Sequence, residues 1–142
     1  MLDARDADDL ANVDLDADIL EQLEMVTQRF EQSREVVGMF TVLLTENLDL
    51  QAPLHARFLG RYRDSVKIVA EGIRRGQRAG RYRTDLDPAV KAVEIIAFLT
   101  GMETSWLLDP SIPLTEVFRE YTSSLARQLT SSPPSGTSSG HG

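Results

Sequence analysis

The 142 residues include no cysteine, so neither a disulfide framework nor a thiolate metal site is open to this chain. Nothing then demands an oxidising compartment, and the cytoplasm is the expected location. Histidine is almost as scarce, with only His55 and His141. Neither stands in a Ser/His/Asp arrangement, so no catalytic residue is expected. The aspartates of residues 3 to 18 lack the glycine and closing glutamate of a metal loop, and neither a metal nor a cofactor is expected. No apolar run approaches the roughly 20 residues of a membrane span. The opening MLDARDADDL is acidic and has no apolar signal core, so no membrane partner is expected either.

What is present is charge, unevenly placed. The net charge is -7, with nine acids against Arg5 in residues 1–24 and nine bases against Asp64 and Glu71 in residues 57–83. An acidic chain is a poor nucleic-acid binder overall, because phosphate contact relies on clustered Lys and Arg. The basic region holds the densest stretch, GIRRGQRAGRYRTDLDP, from Gly72 to Pro88. Helix-end capping and a solvated face explain its arginines more simply than phosphate contact does.

Apolar residues recur at spacings of three and four, and strict alternation is missing, which predicts an all-α fold of about five helices and no strands. The first helix is expected over 16–31, with Leu15, Ile19, Leu23, Val26 and Phe30 on one face. Ser33 reads as the N-cap of a second helix ending near Glu46, and Pro53 as the first residue of a third reaching about Ala79. Gly80 is the expected left-handed cap after it. Asp87 and Pro88 open a fourth helix that is apolar nearly all round and runs to Leu108, where Asp109-Pro110 stops it. A fifth is expected over 114–129 on Leu114, Val117, Phe118, Tyr121, Leu125 and Leu129, before a Ser/Pro/Gly tail over 130–142 that reads as disordered.

The series FTVLLTENLDLQAPLHARFLGRYR, GQRAGRYRTDLDP and AFLTGMETSWLLDP resembles the C-terminal regulatory domain of tetracycline-repressor (TetR) family transcription regulators over residues 14–129. The matching positions are Gly80, Arg83, Asp85, Asp87, Pro88, Gly101, Trp106, Leu107 and Leu108. The resemblance implies a TetR-like regulatory domain that dimerises through its last two long helices as an intersubunit four-helix bundle and encloses a ligand among the earlier ones. It also implies DNA contact only through an N-terminal helix-turn-helix module that this sequence lacks, with residues 1–13 resembling the end of the linking helix.

On that reading a hydrophobic small-molecule effector is the expected ligand. Its candidate contacts are Met39, Phe40, Leu43, Phe58, Tyr62, Phe98, Met102 and Trp106, since ligand sites are mainly apolar and use a few polar groups for orientation. Any one of them serves equally well as core. A homodimer is expected through Ile95, Leu99, Gly101, Glu103, Val117, Tyr121 and Leu125. Gly101 would permit close backbone approach at the seam, and Glu103 would pair with an arginine at its edge or meet a cationic ligand. His55 reads as a partly exposed histidine at a helix end. The alternative to a ligand sensor is a headless dimer that sequesters full-length regulators; an enzyme would need a set of perturbed ionisable groups that the sequence does not offer.

Overall fold

The computed structural model describes Glu21, Leu23, Met25, Val26, Gln28, Arg29 and residues 33–130. The expected linker at 1–13, the tail beyond Thr130, and Leu15, Ile19 and Phe30 of the first expected helix lie outside these residues. Those described between Glu21 and Arg29 are helical. Four further helices follow: α1 (Arg34–Glu46), α2 (His55–Arg78), α3 (Pro88–Leu108) and α4 (Leu114–Thr130). The fold is all-α, and no strand occurs among the described residues.

The boundaries follow local chemistry, with two corrections. Ser33 takes the N-cap position of α1, but its side chain makes no capping bond; its amide instead donates to Arg29 O, continuing the preceding helical pattern. The second correction is the start of α2, at His55 and not at Pro53. Asn47 is the reason. Its Nδ2 donates to Leu43 O (2.7 Å), closing α1, while its Oδ1 accepts from Leu54 N (3.1 Å), the residue before α2. The side chain is only 7 % exposed, so these two bonds satisfy a buried amide that would otherwise be costly. His55 Nδ1 lies 3.0 Å from Asn47 O and must carry the proton, since a carbonyl can only accept. His55 is accordingly a half-buried helix-end residue with a structural partner.

α2 packs along α3, with Ala70, Gly72, Ile73 and Gly76 buried on α2 and Ala92, Ile95 and Met102 buried on α3. α1 packs on α3 as well. One core cluster joins Leu23, Ile73, Tyr82, Ile95, Leu125 and Leu129. A second joins Met102, Leu114 and Phe118, with Val37, Phe98 and Trp106 packed against it. α4 is therefore held to the bundle through long side chains, with Phe98 stacked on Tyr121 (3.7 Å between centroids) and edge-on to Phe118 (5.5 Å).

Candidate functional site

Three arrangements have a claim to function: the aromatic contact between α1 and α2, the outer face of α3, and the corner between α2 and α3. At the first, Phe40 and Phe58 meet edge to face at 5.5 Å, and the Arg61 guanidinium lies 4.8 Å from the Phe40 ring centre. Leu43 is half-buried on the same helix as Phe40. Thr41, next to Phe40, has a buried Oγ1 with no hydrogen-bond partner among the described residues.

The eight expected ligand contacts do not converge on one place. Phe40 and Phe58 come together, and Phe98, Met102 and Trp106 share the second core cluster, where they pack α3 against α4 and α1. Trp106 is also covered by Arg34, whose guanidinium carbon is 4.9 Å from the ring centre. Met39 is 59 % exposed and Tyr62 42 %, so neither is enclosed. For Met39 the reason is helical phase. Glu35, Met39, Val42 and Glu46 share the outward side of α1, and the apolar character of Met39 gave no sign of which side it would take.

The expected dimer contacts fall into two sets. Ile95 and Leu125 are 0 % exposed in the core of the single chain, and Leu99, Val117 and Tyr121 pack against the two core clusters. Those on α4 face inward because that helix has its apolar side on the bundle; its exposed positions are Glu116, Arg119, Glu120, Ser123, Arg127, Gln128 and Thr130. Glu103 is half-buried and has an interaction partner. Gly101, by contrast, is exposed, and a methyl group added there would meet nothing within 4 Å. It belongs to an outward line on α3 formed by Val90, Val93, Ala97, Thr100, Thr104 and Leu108, of which Val90 is 65 % and Leu108 85 % exposed. Helical spacing in a segment apolar all round could not separate this line from the inward one, which is why Ile95 and Leu99 looked equally suitable.

The corner is held by a dense set of hydrogen bonds. α2 ends in paired backbone bonds from Gly80 N to Gln77 O (3.1 Å) and from Arg81 N to Gly76 O (2.8 Å), with Gly80 at φ 77°, where a side chain would be strained. The chain then folds back so that the buried ring of Tyr82 lies flat against Gly76. Gln77 Nε2 donates to both Arg83 O (3.1 Å) and Leu86 O (3.0 Å). Arg83 grips Asp85 through two bonds, Nε to Oδ1 at 2.6 Å and Nη2 to Oδ2 at 2.5 Å, and its own amide donates to Leu129 O of α4. The Arg83 guanidinium holds the Asp85 carboxyl below its ordinary pKa. Asp87 Oδ1 accepts from Ala89 N (2.9 Å) and caps α3, with Pro88 in its first turn.

No protein-family model, curated protein or solved structure matches this chain. Among the described residues no group of three or more His, Asp or Glu could hold a metal ion, and no helix is long and apolar enough to cross a membrane.

Proposed function

We propose that this chain is the ligand-sensing and dimerisation domain of a TetR-like transcription regulator, acting as a homodimer. The observation that carries the reading is the outward line of α3. Val90, Val93, Ala97, Gly101 and Leu108 present apolar or small surface along one side of a helix whose opposite side fills the chain's own core. Such a line is buried when a second copy brings the same helix against it, an isologous contact in which small residues allow close approach. The effector is a hydrophobic small molecule held where Phe40 and Phe58 meet, with the buried Thr41 hydroxyl a candidate polar contact. An effector that binds one spacing of the two subunits better than another shifts the population towards it, and a DNA-reading module in the full-length regulator senses that spacing.

Sedimentation at micromolar concentration should give twice the 15.8 kDa chain mass. Gly101→Arg should sediment as a monomer with an unchanged helical spectrum, since the single chain has open space at that position. A monomeric parent, or a variant that still pairs, would remove α3 from the interface. For the effector, a thermal-shift screen of hydrophobic compounds should find ligands whose stabilisation is lost in Phe58→Ala.

A further inference from the structure

The basic region leaves a feature that the proposed function does not use. Along α2, Arg63, Lys67, Arg74 and Arg78 follow one another at spacings of four, seven and four, which places all four side chains on one line of the helix, and all four are exposed. At a helical rise of about 1.5 Å per residue the line is about 22 Å long. Arg74 and Arg78 share Glu71, at 3.5 and 3.0 Å, whereas Arg63 and Lys67 have no ion-pair partner among the described residues. Beside the line, Arg75 has a buried Nη2 with no acceptor among those residues. A guanidinium nitrogen removed from water in this way needs an oxygen acceptor, and a carboxylate is the best one.

The same chain holds the matching charge. Residues 1–18 contain seven aspartates and one base, Arg5. Their attachment point is close by, because Leu23 is buried against Ile73 and Tyr82, near the end of α2 that carries Arg74 and Arg78. Twenty residues span up to about 66 Å when extended, three times what the line requires. We propose that the acidic segment ahead of Glu21 docks in the same chain along the basic line of α2, with its carboxylates on Arg63, Lys67, Arg74 and Arg78 and one of them on Arg75. Tethering gives the segment an effective concentration of about millimolar at this face, so it outcompetes free polyanions there. The contact accounts for an arginine-rich helix in a chain of net charge -7 without a nucleic-acid partner.

Because the protein has no cysteine, Ala7→Cys provides a unique attachment point for a nitroxide on the full 142-residue chain. In about 10 mM salt, where the Debye length is about 30 Å, the amide signals of Arg63, Lys67, Arg74 and Arg78 should lose most of their intensity. They should recover it in about 1 M salt, where the Debye length is about 3 Å. The double variant Arg63→Glu/Lys67→Glu, whose two sites are exposed, should also abolish the loss while retaining the parent's melting curve. No loss of intensity at low salt would overturn the proposal, as would a loss that persists in high salt or in the variant, because proximity would then owe nothing to charge. A mixture of nitroxide-bearing chain at natural isotopic abundance with label-free nitrogen-15 chain supplies the remaining arm. Broadening there as strong as in the singly labelled sample would assign the occupant to a second copy and overturn docking within one chain.

Discussion

Replacing Gly76 by alanine should destabilise the protein, although the same change in an exposed helix interior normally stabilises it. The gain expected from helix propensity alone is up to about 1 kcal/mol. Against it stands the Tyr82 ring: a methyl group on Gly76 would overlap Cδ2 and Cε2 and come within 2.9 Å of Cγ. These are atoms of a rigid ring that is 4 % exposed and packed in the first core cluster, so it cannot swing aside as a flexible side chain would. Overpacking of this kind costs about 1–3 kcal/mol, and complete expulsion of the ring approaches the cost of deleting it, about 3–5 kcal/mol. A net loss of about 2 kcal/mol is expected. Urea unfolding of four chains tests this: the parent, Gly76→Ala, Tyr82→Ala and the double variant. In the Tyr82→Ala background the Gly76→Ala change should reverse sign and stabilise, because the ring that supplies its three nearest contacts is gone. Gly60→Ala is the control; it has no atom near the added methyl and should stabilise the chain in either background. A neutral or stabilising effect of Gly76→Ala alone would refute the proposed seat for Tyr82.

Four other substitutions probe the contacts that set the geometry. Asn47→Ala removes both hydrogen bonds of a buried amide and leaves Leu54 N without its acceptor, so a loss of about 2 kcal/mol in denaturant unfolding is expected. Gln77→Ala frees the carbonyls of Arg83 and Leu86, and amide exchange between Arg81 and Asp87 should accelerate well before global unfolding. Arg34 donates to Trp106 O (3.3 Å) and Leu107 O (3.2 Å) while lying over the Trp106 ring; Arg34→Lys should lower the melting temperature nearly as much as Arg34→Ala, since an ammonium cannot reach both carbonyls and stack. Burial, with Glu94 as a lesser cause, pushes the Tyr121 hydroxyl up from 10.0 to about 12. The neutral form is thus favoured in the folded state, and its contribution is complete below pH 10 and lost as the pH rises through 12. Tyr121→Phe should flatten the fall in stability across that window, which a pH series of urea melts measures.

How much of this could be read from the sequence depended on whether the determining chemistry was local. Gly80, Asp87 and Pro88 act on their immediate neighbours, so their positions in the chain sufficed to place the corner, and all three do what their residue types predict. The start of α2 lies two residues beyond Pro53 because Asn47, eight positions before His55, holds the residue ahead of the helix, and nothing in the spacing of PLHARF reports that reach. Gly76 has no local signature at all; only the backward fold of Tyr82 onto the helix makes a side chain there intolerable. The apolar helix α3 marks the opposite limit. Its composition reveals that two sides are apolar, but not which of them the rest of the chain covers, so Ile95 and Leu99 read as seam residues although both pack in the chain's own core.

The corner and the outward line of α3 are linked through the same few bonds. Gln77 belongs to α2, accepts no load from α3 directly, and still fixes it, because the two carbonyls it holds lie in the segment that ends at the cap of α3. Arg83 extends the connection to α4 through Leu129 O, while Tyr82 wedges the same segment against α2 and the core residues of α3 and α4. A displacement of α2 along its axis therefore cannot be absorbed in the loop, which has its polar groups committed to both sides; it must move α3 and the end of α4 with it or break several bonds together. Loops that join helices usually relax such strain. Here Gln77 of α2 and the loop residues Arg83, Asp85 and Asp87 prevent that, which gives the polar composition of this corner a mechanical role distinct from that of the basic line on α2.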